Sequence, residues 1–208
     1  MPTYSELRFR ARASLRGNWT GAVLTTLLLY VILFVIGLLN SIPLVGWLAE
    51  LLLTGPLMLG MYAYYLELVR SNRSDTATLF TGFSQFVDAF LLYLLIAIFV
   101  FLWSLLLVIP GIIAALRYSQ AYYILRDHPS IGALEAIRRS KEMMKGNKGR
   151  LFVLSLTFIG WLILGSIPFG IGLLWVYPYM ITTFVHFYEE IGGRPPRLSP
   201  APGWQPHV

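Results

Sequence analysis

Long apolar runs alternate with short charged connections along this chain, and that alternation dictates the elements. No Asp, Glu, Lys or Arg occurs in 17–49, 51–66, 89–116 or 151–188. A helix that crosses a bilayer needs about 20 apolar residues at a rise of about 1.5 Å each. The longest runs therefore hold two crossings with a turn between them. Uncharged Pro/Gly breaks supply the turns: Ser41-Ile42-Pro43-Leu44-Val45-Gly46, Ile109-Pro110-Gly111, and the stretch with Pro168, Gly170 and Gly172. The pattern predicts an all-α polytopic membrane protein with six spans, at 19–40, 47–69, 87–109, 111–126, 150–167 and 171–191. They form three hairpins turned at Pro43, at Pro110-Gly111 and at Pro168. The fourth span is short and reads as tilted or as a half-span.

Two segments carry a different period. Leu7, Phe9, Ala11 and Leu15 alternate with arginines just ahead of the first span, with Ser5 as the expected cap. Over 130–145, Ile131, Leu134, Ile137, Met143 and Met144 recur at helical spacing behind Ser130, with basic residues on the polar side. Such helices lie in the interface and attract anionic headgroups. Arg8, Arg12, Arg16, Arg138, Arg139, Lys141 and Lys145 are the candidate headgroup residues, and topology-setting charge is the plainer reading of the same positions. Gly17 and Gly146 are read as helix stops.

Composition narrows the class. The chain is 57% hydrophobic and 12% charged, with a mean hydropathy of +0.67, whereas soluble domains carry about 25% charged residues. That excludes an ordinary soluble enzyme and a disordered regulator. The absence of Cys excludes thiol chemistry, iron–sulfur ligation and Cys-zinc sites. Every Lys and Arg except Arg117 falls before the first span, in the 70–86 or 126–150 connections, or after the last span. The positive-inside rule then puts both termini in the cytoplasm. The N-terminus lacks the features of a cleavable signal, so the first span is expected to stay as an anchor. Residues 1–191 read as one membrane domain, and 192–208, rich in Pro, as a disordered cytoplasmic tail.

The domain is repetitive. The offset that lays Arg16-Gly17-Asn18 on Lys145-Gly146-Asn147 also pairs Glu6 with Glu135, Arg10 with Arg139 and Arg12 with Lys141. Both copies reach Ser-Ile-Pro, at Ser41-Ile42-Pro43 and Ser166-Ile167-Pro168. Pro56 then matches Pro178, Tyr64-Tyr65 matches Phe187-Tyr188, and Glu67 matches Glu190. A weaker middle copy ends in Tyr122-Tyr123 and Asp127. The units are 4–68, 76–127 and 133–191. Each has two spans, so all copies share one orientation, as in parallel repeats.

Ionisable groups inside a membrane are costly and face a partner. Arg117, Glu50 and Gln120 form the candidate intramembrane polar site. An Arg117–Glu50 ion pair or snorkelling is one reading, and a carboxylate or phosphate ligand gripped by the guanidinium is the other. No catalytic residue is assigned. The histidines, His128, His186 and His207, have no metal spacing, and no serine has a nucleophile-elbow context. No cofactor, metal or nucleic acid is expected. The expected partners are membrane lipids, anionic ones first, with a membrane protein or a second copy as the other class.

The opening Ser5-Glu6-Leu7-Arg8, Ala11-Arg12 and Leu15-Arg16-Gly17-Asn18-Trp19 resembles a family of uncharacterised bacterial integral membrane proteins known only as a domain of unknown function. So does the block Ile109-Pro110-Gly111-Ile112-Ile113-Ala114 with Leu116-Arg117-Tyr118-Ser119 and Ala121-Tyr122-Tyr123. Glu135-Ala136-Ile137, Met143-Met144-Lys145-Gly146 and Gly170-Ile171-Gly172-Leu173-Leu174-Trp175 extend it over nearly the whole chain. The resemblance implies a polytopic protein of the bacterial cytoplasmic membrane with no established activity. The layout is also similar to membrane domains fused to some glycerophosphodiester phosphodiesterases. The catalytic domain of those enzymes is not in this sequence, so their activity is not carried over. The leading expectation is a non-enzymatic module in transport, envelope homeostasis or lipid handling. A scaffold subunit that binds a membrane partner comes second, and a membrane-embedded enzyme third.

Overall fold

A computed structural model describes residues 2–42, 44–167 and 170–192. Pro43, Pro168 and the tail beyond 192 lie outside these residues. The described chain is helical throughout: α1 (Tyr4–Leu15), α2 (Trp19–Leu38), α3 (Val45–Ser71), α4 (Phe86–Leu106), α5 (Val108–Tyr118), α6 (Ala121–Asp127), α7 (Gly132–Met143), α8 (Lys148–Leu156), α9 (Ile159–Ser166) and α10 (Leu173–Ile191). A run of 3-10 turns over Thr76–Gln85 leads into α4. Among the described residues four segments are long and apolar enough to cross a membrane: Trp19–Ser41, Val45–Ser71, Thr76–Leu106 and Lys148–Ser166.

Four expectations about element ends are corrected. The cap of α1 is Thr3, whose hydroxyl accepts from the Glu6 N–H, not Ser5. The residue before α7 is Ile131, without a side-chain cap, so Ser130 does not cap it. The turn of the second hairpin falls at Leu107, where the backbone is extended, and Pro110-Gly111 sit inside the first turn of α5. Proline is tolerated there because the first-turn N–H groups have no intrahelical partner. Gly111 has a packing role: a Cβ there would collide with the Ser104 hydroxyl across the hairpin. Finally, the expected fourth span is two helices, α5 and α6, broken at Ser119-Gln120.

That break is held by α7. The Gln120 N–H donates to Ser140 Oγ at 3.2 Å, and the Ser140 hydroxyl donates to the Arg117 carbonyl at 2.7 Å. One buried hydroxyl thus satisfies backbone groups on both sides of the interruption, which an apolar surrounding requires. Ala133, Ala136, Ile137 and Ser140 form the buried face of α7. The helix packs on α4, α5 and α6 rather than resting only on a lipid surface. α1 does the same against α10, through Leu7, Ala11, Ser14 and Leu15.

α3 is the central element, touching α1, α2, α4, α6 and α10. From Thr54 to Val69 it is buried almost all round, as a helix apolar on every face must be. Its close neighbour is the 3-10 segment: a Cβ on Gly60 would strike the Leu79 carbonyl, and one on Gly82 the Pro56 carbonyl. Small residues let membrane helices approach in this way. The core lies toward one end of the bundle, at Tyr64, Tyr65, Leu68, Tyr123, Leu125, Val185 and Phe187. At the other end the helices expose apolar side chains. Every residue from Phe101 to Ile109 is exposed, and Leu44, Trp47, Ile163, Ile167 and Ile171 face outward at the tips of the other hairpins.

Candidate functional site: an ionic latch where three helices end

The last turns of α3, α6 and α10 meet at the charged end of the bundle. Arg70 of α3 reaches two acids at once. Its Nη1 and Nη2 donate to Asp127 Oδ1 and Oδ2 at 2.6 and 2.8 Å, a two-pronged contact. Its Nε and Nη2 donate to Glu189 Oε1 at 2.8 and 2.6 Å. The Tyr188 hydroxyl adds a bond to Asp127 Oδ2 at 2.8 Å. The Asp127 and Glu189 side chains are only 6% and 3% exposed, while Arg70 keeps 31%. The guanidinium thus lies at the rim with its carboxylates beneath it. Charge-assisted forks of this kind fix geometry as well as adding energy.

An aromatic layer supports the latch. Tyr62 of α3 stacks on Tyr122 with ring centroids 5.0 Å apart and meets the face of Tyr123 edge-on at 4.8 Å. Tyr123 in turn stacks on Tyr188 of α10 at 4.9 Å. A second tie lies alongside, where Arg150 of α8 donates to Glu190 at 3.0 Å and to the Pro2 carbonyl at 3.3 Å, over the Phe187 ring. Glu67 accepts from the Thr78 hydroxyl at 3.0 Å. Between α1 and α10, Ser14 Oγ and His186 Nε2 lie 3.0 Å apart, both buried.

A pocket of about 230 Å³ opens above the latch, lined by Arg70, Asp127, His128, Arg139, Tyr188 and Glu189 among others. It offers two carboxylates already engaged by a guanidinium. No group of three metal-ligating side chains occurs among the described residues. What the arrangement can do is hold three helix ends together and respond to loss of charge at any one of them.

The expected intramembrane trio is not assembled. Glu50 is exposed on α3 and accepts from the Asn40 amide at 3.2 Å. Arg117 lies over the Trp103 ring at 5.9 Å, and no ion pair joins it to Glu50 or to any other described residue. Gln120 is buried at the α5–α6 break, its amide donating to Ser119 Oγ at 2.8 Å.

The basic positions divide. Arg12 stacks on Tyr179 at 5.1 Å, Arg8 is half-buried and Arg16 exposed. Arg138 and Arg139 both bind Glu135, at 2.6 and 2.9 Å. Bonds from Arg138 and then Arg139 hold the Glu135 carboxyl down at about 2. Lys141 and Lys145 are exposed. Gly17 and Gly146 have φ of +89° and +79°, the left-handed region open to glycine. In the next position Asn18 and Asn147 donate back to the Ser14 and Met143 carbonyls at 3.3 and 3.0 Å.

Sequence reasoning missed the latch. Asp127 was read only as the acid that ends a unit, and Arg70 only as a topology charge. The signal lay in the recurrence of an acid after each aromatic pair. What it lacked was any hint that Glu189, rather than its neighbour Glu190, turns toward Arg70.

No curated protein and no solved structure matches this chain. The profile of one family, described as a protein of unknown function and designated DUF975, matches residues 1–114 and 105–195. Those two stretches cover all of α1 to α10, so the chain belongs to the DUF975 family.

Proposed function

We propose that this protein is a six-span, non-enzymatic module of a bacterial cytoplasmic membrane, with both termini in the cytoplasm, that binds and handles phospholipid. The observation that carries the reading is the contrast between the two ends of the bundle. One end is tightly packed and holds the latch, α1 and α7 with their basic residues. The other ends in three hairpin turns with no Asp, Glu, Lys or Arg in their sequence, beside which large apolar side chains stand exposed. Exposed apolar surface on this scale suits a membrane environment, and basic helices at the opposite interface suit anionic headgroups. α5–α6 and α10 supply the two spans beyond the four longest apolar segments. α10 is less apolar because Thr182, Thr183 and His186 sit on its buried face.

The test is reconstitution of the full chain into vesicles of phosphatidylethanolamine with and without phosphatidylglycerol. Lipid retained through purification and transbilayer movement of a fluorescent phosphatidylglycerol are then measured. Selective retention or accelerated movement of the anionic lipid is expected. Lipid behaviour identical to that of protein-free vesicles, with no selective retention, would sink the reading.

A further inference from the structure

Arg117 is the first charge after the 89–116 stretch, and the described residues give it neither an acid nor a hydrogen-bond acceptor. A guanidinium cannot shed its proton at ordinary pH, so in an apolar setting it has to find an acceptor outside the fold. The side chain is half-buried and lies over Trp103, in the last turn of α4. The Arg117 backbone is held by Ser140 of α7, and its side chain extends from there toward the last turn of α4, so the guanidinium lies on the hairpin-turn side of its own backbone. On the same hairpin Phe101, Leu102 and Leu105 of α4 and Ile112 and Ile113 of α5 are exposed apolar side chains. The guanidinium carbon lies 5.9 Å from the indole centroid, and the exposed apolar surface of the hairpin is one that acyl chains cover.

We infer that Arg117, seated on Trp103, is a binding site for the phosphodiester of a phospholipid whose acyl chains lie along the α4–α5 hairpin. The inference rests on the six-span reading above, which puts the turn of this hairpin in the outer leaflet. Arginine suits the ligand because its planar fork matches two phosphate oxygens, and a tryptophan at headgroup depth is where an amphipathic ring belongs. The apolar flanks favour a lipid phosphate over a free anion.

The experiment uses the full chain in nanodiscs of phosphatidylethanolamine and phosphatidylglycerol, with lipid that survives detergent extraction counted by native mass spectrometry. The wild type is expected to keep a phospholipid that Arg117→Gln loses by about tenfold, the loss of one charge-assisted fork. Arg117→Lys, which keeps the charge without the fork, should lose about threefold. It also serves as the comparison should the glutamine variant fail to fold. Equal retention in the wild type and the lysine and glutamine variants overturns the site. Displacement of the lipid by millimolar inorganic phosphate, with equal Arg117-dependent binding of phosphate in lipid-free detergent, overturns the lipid assignment in favour of a free anion. A reporter fused at Val108 separates this from the parent reading. An external signal with Arg117-independent retention rejects the site alone, and a cytoplasmic signal rejects the six-span reading and the site with it.

Discussion

At Arg70 a single guanidinium serves two carboxylates that are almost wholly out of water. Arg70→Ala removes the cation between them and is expected to destabilise the protein in detergent by about 2–4 kcal/mol. That is somewhat below the value for a fully buried pair, because Arg70 is one-third exposed. Arg70→Ala with Asp127→Asn should cost less than the sum of the two single changes. Thermal unfolding of the three variants measures the coupling, and strict additivity would show that the latch does not act as a unit. Glu135 makes the opposite case on an exposed helix. Its carboxyl is held down at about 2 by Arg138 and Arg139, so the bridge is present above the ordinary carboxylate value and is lost only as pH falls through about 2. A carbon NMR titration of Glu135 should therefore be flat from about pH 8 to pH 4. A midpoint near the ordinary value of 4.5 would mean the bridge does not persist in solution.

The elements show which signals reach the sequence level and which do not. Apolar runs announced α2, α3 and α4 because a bilayer solvent rewards hydrophobicity almost independently of the partner helix. The amphipathic period announced α7 for the same reason, though not what its buried face meets. Ala133, Ala136 and Ser140 are too small to mark a face by hydropathy, and Ser140 is the residue that bridges the α5–α6 break. The break itself was hidden because Ser119 and Gln120 are ordinary helix residues until Ser140 competes for the backbone around them. Pro110-Gly111 misled in the other direction: the pair looks like a turn, yet proline fits the first helical turn and the glycine serves a close crossing with Ser104. Ser140→Ala should leave the Gln120 N–H unsatisfied in a buried place and cost about 1–3 kcal/mol. Amide hydrogen exchange should show α6 opening more readily in that variant, while protection of α3 stays as in the wild type.

Across the whole molecule the two ends of the bundle differ in kind, and the proposed orientation makes that difference measurable. Reporter fusions at residue 74, at residue 140 and at the C-terminus should read as cytoplasmic. Fusions within 41–46 and within 168–172 should read as external. A periplasmic or extracellular signal at residue 140 would invert the map and remove the basis for assigning the basic helices to the inner leaflet. Two junctions are built alike: α1–Gly17–Asn18–α2 and α7–Gly146–Asn147–α8 use the same left-handed glycine and the same backward asparagine bond. Least legible was the long-range assembly, since the partners of Arg70 are drawn from the ends of two other helices, α6 and α10.

The docking of α1 on α10 joins residues 172 apart in the chain, Ser14 and His186, at one seam. A ribosome delivers α1 long before α10. Until α10 arrives α1 can settle against α3, which it also touches, but its main partner surface is missing. Arg70 likewise waits for Glu189, which emerges only a few residues before α10 ends. The seam therefore closes only after α10 has been made, and a transcript cut short within α10 yields a chain in which Ser14 has no His186 and Arg70 no Glu189 to meet.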